Sequence, residues 1–227
     1  MRLVLFDVDG TILSSGPKGR DAFTQALRTV FGTEGAVSTY RFEGKLDPVI
    51  IDELMCAAGV AREVVAARTE EALRLYLDLL EQALAVQKPA LKPGVKELVE
   101  CVSSSTGAVN ALLTGNVERG ARIKLTAAGL WHHFRFGTWG NEAPRRVGLG
   151  PVALARALEH TGRAFTGRET TVVGDSRDDV ACGRAIGARV VAVATGRTSA
   201  EELAAAGADV VLSDFSDFAA ARRAILE

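Results

Sequence analysis

Asp7 and Asp9 stand one residue apart at the end of an apolar run, in "LVLFDVDGTIL" from residue 3 to residue 13. Carboxylates this close repel each other strongly where the dielectric is low, and both stay ionised only with a cation beside them. Mg²⁺ suits such a pair, because it takes oxygen ligands and is commonly held by one or two carboxylates together with phosphate and water. A calcium loop of the EF-hand kind does not fit. Its glycine stands sixth and its last ligand is a glutamate, whereas Gly10 is fourth counting from Asp7. The plainer alternative is a turn whose carboxylates cap the following segment. Further along, "TTVVGDSRDDVACG" brings Asp175 to the end of a second apolar run, with Gly174 allowing close backbone approach. Asp178 and Asp179 begin the next helix, where the dipole favours acidic side chains, so a purely structural role is open to them. In "LLTGN", residues 112–116, the Thr114 hydroxyl and the N–H groups of Gly115 and Asn116 suit a phosphate oxygen, and an N-cap at Asn116 explains them equally well.

The elements that must position these residues follow from periodicity. Apolar runs recur at "RLVLFD", "GAVNALLT", "TTVVGD", "ARVVAVAT" and "ADVVLS", each followed by helical spacing of apolar residues. Runs apolar throughout suit strands covered on both faces, which predicts a parallel sheet in an α/β fold. Function gathers at the carboxyl ends of such strands, so Asp7, Thr114 and Asp175 are expected on one rim. Residues 15–92 have helical periodicity and no convincing strand, with "DPVIIDELMCAAG" starting a helix at Asp47 and Pro48. This predicts a helical insertion (15–92) between the pieces 1–14 and 93–227 of a sheet domain. "HFRFGTW" reads as a further strand. "GLWHHF" reads as a helix end that packs Trp131 on the core, its adjacent His132 and His133 pointing apart and carrying no chemistry. "GRAIGARVVAVATG" lacks the GxGxxG order that a dinucleotide site needs.

With "DVDGT", "LLTGN" and "GDSRDD" in this order and a helical insertion between the first two, the chain resembles the haloacid dehalogenase-like hydrolase superfamily, in the subgroup containing phosphoglycolate phosphatases. The resemblance implies a three-layer Rossmann-like α/β core with a parallel sheet and a small all-helical cap inserted after the first strand. It implies that Asp7 attacks a phosphoryl group to form an aspartyl-phosphate, and that Asp9 is general acid and then general base. Mg²⁺ would be held by Asp7 and Asp175 and by the backbone carbonyl of Asp9, with Asp179 in support. Thr114 would grip the phosphate, with Gly10, Thr11, Gly115 and Asn116 as further contacts.

The third motif departs from the subgroup. A Lys-Pro is usual there, and this chain reads "NEAPRRVGLGPVALARAL" with no lysine. Arg146, with Arg145 beside it, is the first candidate for the cation opposite the carboxylates. Lys124 is the rival, but it sits about two turns into the helix after Thr114 and would have to reach back about 10 Å. It is expected to be a solvated helix lysine. In the insertion, "RFEGKLDPVI" resembles the subgroup's substrate-specificity loop: Gly44 permits the turn, Arg41 or Lys45 meets an anionic part of the substrate, and Leu46, where a threonine is usual, changes the polarity of the pocket.

Bulk properties narrow the partners. The 227 residues, 48% hydrophobic, can bury a substantial core, and 27 basic against 28 acidic residues leave a net charge of −1. No basic run would track a nucleic-acid backbone. Cys56, Cys101 and Cys182 show no metal or disulfide spacing, which suits a reducing cytoplasm. No apolar run reaches the ~20 residues of a membrane helix, and the chain opens on a strand without a leader. The expected partner is a small phosphorylated metabolite, and the expected assembly is a monomer or homodimer. A haloacid dehalogenase or phosphonatase would lack Asp9, and a response-regulator receiver would lack the insertion. A phosphomutase of the same fold and a catalytically weak phospho-ligand-binding regulator are the competing readings.

Overall fold

The computed structural model describes residues 1–227. Six parallel strands form one sheet: β1 (Arg2–Phe6), β4 (Ala108–Leu113), β5 (Gly137–Thr138), β6 (Thr170–Gly174), β7 (Arg189–Val193) and β8 (Val210–Leu212), in the order β5-β4-β1-β6-β7-β8. Two-residue period divides β1 between two layers. Val4 and Phe6 face one core with Leu98 and Val99 of α4 (Val95–Ser104), Leu125 of α5 (Glu118–Ala127) and Ile225 of α9 (Phe218–Leu226). Leu3 and Leu5 face the other, with Leu149 and Ala153 of α6 (Leu149–Thr161) and Cys182 of α7 (Arg177–Ala185). The sixth helix of this part, α8 (Ala200–Ala205), packs Leu203 on β7. This is the parallel α/β sheet predicted from the apolar runs, in the three layers that the resemblance implies.

Register brings the strand ends together. Phe6 pairs with Leu112 on one side and Val173 on the other, so Asp7 and, one residue further out, Thr114 and Asp175 emerge on one rim. The chain leaves β1 toward β4 on one flank and returns to β6 on the other, and the crevice where strand order reverses lies above Asp7.

Between β1 and α4 the chain forms α1 (Gly16–Phe31), α2 (Asp47–Ala57) and α3 (Arg62–Val86). Phe23, Ala26, Leu27 and Val30 recur at helical spacing on α1 and join Ile51, Leu54 and Met55 of α2 and Tyr76, Leu77 and Leu80 of α3 in a core of their own. The two connections run side by side as a short antiparallel ladder, β2 (Leu13–Ser14) against β3 (Ala90–Leu91). Ala90–Leu91 is thus a strand inside the stretch read as strandless, since two ladder residues leave no periodic signal.

Three other readings change. The run "HFRFGTW" contributes only Gly137–Thr138, because the sheet edge ends where Trp139 folds its ring over Gly137. Trp131 does pack on the core, from a 3₁₀ turn (Trp131–His133) rather than a helix end. In that turn the rings of His132 and His133 lie 4.0 Å apart instead of diverging, and His133 Nδ1 is paired with Ser103 Oγ.

Candidate active site

A cavity of about 590 Å³ lies between the strand ends and α1–α3. Asp7 lies at its base, 6% exposed. The Arg146 Nη2 group donates to Asp7 Oδ1 at 2.7 Å, to the Leu113 carbonyl at 3.1 Å and to Asp179 Oδ1. The Arg146 guanidinium is carried by a 3₁₀ turn (Arg146–Gly148) before α6 and is itself 5% exposed, whereas Arg145 is out in solvent. Asp7, Asp175 and Asp179 offer carboxylate oxygens within 4.8 Å of one another. Burial is the main reason that Asp7 is pushed up to about 7, against the pull of Arg146; Asp175 is raised well above the carboxylate range by burial and by Asp7 and Asp179.

One guanidinium thus faces three buried carboxylates, and a divalent cation would balance them. The donor set fits one. Asp175 Oδ2 is buried and receives no hydrogen bond. A Cβ on Gly10, whose φ is +92°, would lie 2.3 Å from that oxygen, and one on Gly196 would lie 1.7 Å away, so glycine keeps its surroundings open. Thr11 donates to the other oxygen at 3.0 Å. It is fully buried and does not reach the cavity, so it serves Asp175 and not a phosphate as expected. Asp179 stands one layer behind, its Oδ2 taking hydrogen bonds from the N–H (3.0 Å) and hydroxyl (2.6 Å) of Ser176 in a capping box.

Asp9 has different surroundings. Its side chain is 42% exposed, toward the cavity. Asp9 Oδ2 accepts from Lys124 Nζ at 2.6 Å and Asn116 Nδ2 at 2.7 Å, and Oδ1 has no donor. Its carboxylate therefore lies outside the acidic cluster, leaving only its backbone for a metal. Asn116 also donates to Thr114 Oγ1 at 2.8 Å and accepts from Lys124 at 2.6 Å. It is not the N-cap of α5, a position that falls to Val117.

Lys124 corrects the expectation of a solvated lysine: it is 5% exposed. Distance along the helix axis misleads, because Asp9 lies beside α5 and not at its end, and α5 is roofed by α3, where Leu77 meets Gly120. Burial opposes the Lys124 ammonium, but Asp9, Tyr76 and Asp47 outweigh it and raise its pKa. Lys124 and Arg146 therefore do not compete for one place; each serves a different aspartate.

The loop 41–46, expected to set specificity, lies over this site. Gly44 (φ +72°) abuts Asp178 and Ser176, and a Cβ on Gly115 would lie 1.9 Å from the Lys45 carbonyl. Lys45 lines the cavity with its ammonium on both oxygens of Glu53 at 2.9 Å. Arg41 is exposed and away from the cavity. Leu46 also corrects its reading: it is buried in the sheet-side core with Leu113 and Phe136, outside the pocket.

Sequence reasoning missed three groups. Asp47, read only as a helix start, is 8% exposed, lines the cavity and accepts the Val117 N–H at 3.0 Å while its own N–H donates to the Gly115 carbonyl at 2.8 Å. Burial pushes it up to about 6, against Lys124 and that N–H. Tyr76 sits beside Lys124 on the buried face of α3, where nothing in the sequence separates it from packing. Thr195 does have a signal, being the second residue past the end of β7 on the same rim; its hydroxyl donates to the Gly10 carbonyl at 2.6 Å.

A family model described as HAD-hydrolase-like matches residues 149–218, which carry α6 through β8 and the Asp175 end of the site. The phosphoglycolate phosphatase of Pseudomonas putida is 26% identical over 214 residues, covering 94% of this chain and 76% of that protein. The probable phosphatase IndB of Dickeya dadantii is 28% identical over 230 residues, covering 99% and 95%. These likenesses support a haloacid dehalogenase-like hydrolase. The phosphoglycolate phosphatases among its relatives support that subgroup and a phosphatase as the enzyme class. Its fold is that of CbbY from Rhodobacter sphaeroides, solved in complex with phosphate, with a TM-score of 0.72 at 20% identity over 96% of both chains. In this hydrolase no helix is long and apolar enough to cross a membrane.

Proposed function

We propose that this hydrolase is a Mg²⁺-dependent phosphatase that removes phosphate from a small phosphorylated metabolite, phosphoglycolate-like or a sugar phosphate, through an aspartyl-phosphate on Asp7. The observation that carries the reading is the unlike surroundings of two carboxylates with a single residue between them. Asp7 is buried, fixed by Arg146 and grouped with Asp175 and Asp179. Asp9 is open to the cavity, anchored through one oxygen with the other free. The first arrangement suits a nucleophile whose charge must be neutralised before it approaches a phosphate, and the second suits a proton carrier.

Asp7 Oδ attacks phosphorus while Asp9 Oδ1 gives its proton to the leaving oxygen. Asp9, now ionised, takes a proton from the water that attacks the aspartyl-phosphate, which returns Asp7 and releases phosphate. Lys124 and Asn116 orient Asp9 through both steps, and Arg146 offsets charge at Asp7. Thr114, Gly115 and Asn116 cradle the phosphoryl oxygens. Asp7, Asp175 and the Asp9 carbonyl would hold Mg²⁺, supported by Asp179, and the ion supplies charge neutralisation at the phosphoryl group. Residues 15–92 act as a cap that excludes water before the phosphoryl transfer. The regulator reading drew on a missing third-motif cation, and buried Arg146 and Lys124 remove that ground.

Phosphate release from a generic aryl phosphate and from a panel of metabolite phosphates, with Mg²⁺ and with chelator, tests this. Metal-dependent release by the wild type that falls by about 10²-fold or more in Asp9→Asn and vanishes in Asp7→Asn is expected. Release unaffected by chelator or retained in Asp7→Asn rejects the mechanism.

A further inference from the structure

The cations around the cavity do not all have anions. Of the six that line it, Arg146 is paired with Asp7, Lys124 with Asp9, Lys45 with Glu53 and Arg197 with Glu43. Arg20 and Lys92 form no ion pair; each meets only a backbone carbonyl, of Ser38 at 3.3 Å and of Thr195 at 2.7 Å. Lys92 is thereby tied to the Gly10 end, since Thr195 bonds the Gly10 carbonyl. Arg20 is on α1, and its guanidinium carbon lies 5.2 Å from the centre of the Phe42 ring.

The local sequence clears space beside it. Gly16, Gly19, Arg20 and Phe23 follow at i, i+3, i+4 and i+7, and all four line the cavity. A Cβ on Gly16 would meet nothing, so the start of this face is open, while Ser15 packs over Gly19 beside Arg20. Ser15, just before the helix, also lines the cavity and has an enclosed hydroxyl that makes no hydrogen bond. The volume of about 590 Å³ is in the range of pockets for whole small organic ligands, ~300–1,000 Å³, and exceeds what a phosphoryl group alone fills.

We propose, building on the phosphatase reading, that Arg20 is the specificity-determining residue for a second anionic group, so that the substrate is a phosphomonoester with a carboxylate or a second phosphate at its far end. A guanidinium set over the Phe42 ring and donating one N–H to the Ser38 carbonyl keeps most of its five donors for a planar, two-toothed grip on such an anion. Lys45, the expected partner of the anion, is already neutralised by Glu53. Because Arg20 belongs to α1 while Asp7 belongs to the sheet, a substrate that bridges the two also favours the closed arrangement of cap and core.

Calorimetry separates this from the phosphatase reading. The full chain carrying Asp7→Asn, with Mg²⁺, is titrated with ethyl phosphate, 2-phosphoglycolate and a short alkanediol bisphosphate, alone and with Arg20→Ala or Arg20→Lys added. At least one of the two-anion ligands is expected to bind ~10-fold or more tightly than ethyl phosphate. Arg20→Ala should erase that gap and Arg20→Lys keep part of it; the ligand that shows it tells carboxylate from phosphate. A gap that survives Arg20→Ala, or no gap at all, overturns the subsite even if the wild type hydrolyses ethyl phosphate. A gap that depends on Arg20 in a protein that hydrolyses nothing keeps the subsite and rejects the phosphatase. Failure of all three ligands to bind rejects both.

Discussion

At the scale of the residue, the site is an arrangement of unequal carboxylates around two unlike cations. Arg146 gives one Nη group to Asp7, the Leu113 carbonyl and Asp179, a geometry that a lysine cannot copy without moving. Arg146→Ala leaves buried carboxylates unpaired and should cost about 3–5 kcal/mol of stability in chelator by urea unfolding, with part of the loss restored by Mg²⁺. Equal losses with and without Mg²⁺ would show that the metal does not share this charge. Asp47 gives a pH signature. Its pKa of about 6 when folded lies above the ordinary carboxylate value, so between the two the folded chain holds a proton that the unfolded chain has released. The stability this group confers is present at low pH and is lost as pH rises toward 6. Asparagine keeps an acceptor for the Val117 N–H and does not titrate. The advantage of Asp47→Asn over wild type should therefore grow by up to about 3 kcal/mol between pH 4 and pH 7, and parallel stabilities would refute the assignment. Asp7 and Asp175 titrate in both proteins and cancel in the difference.

Elements decide which residues meet. Strand ends were legible in the sequence, since β1, β4 and β6 are largely apolar runs and each ends just before a residue of the site. What α5 does was not legible, because Lys124 looks like any helix lysine until the chain folds α3 over it. The same holds for Asp47 and Leu46, neighbours whose side chains go to the cavity and to the sheet-side core. Such a division depends on how the loop 41–46 lands, and periodicity says nothing of it. The landing rests on backbone contact, the Lys45 carbonyl lying where a Cβ of residue 115 would be. Gly115→Ala should therefore hold the cap away from the strand ends while the sheet stays folded. We expect kcat/KM to fall by about 10²-fold with circular dichroism unchanged and a larger radius of gyration in scattering. Full activity in a protein of unchanged size would mean that the loop yields instead.

At the scale of the whole molecule, separate cores of the sheet and of α1–α3 flank one charged cavity. The α1–α3 core of sixteen buried residues is separate from those of the sheet, and the β2–β3 ladder is where the chain passes between them. A net charge near zero conceals this concentration of cations and carboxylates in one place. Because the folded state alone assembles Asp7 and Asp175 about a common point, Mg²⁺ should raise the melting temperature of the wild type, and Asp175→Asn should lose most of that rise. The central claim is that Asp7 carries the phosphoryl group between substrate and water. Rapid acid quenching of the Asp9→Asn protein with an aryl phosphate and Mg²⁺, followed by digestion and mass spectrometry, tests it most directly. One phosphoryl group on Asp7 in the peptide of residues 3–18 is the predicted result; an unmodified peptide, together with phosphate release that persists in Asp7→Asn, would contradict it.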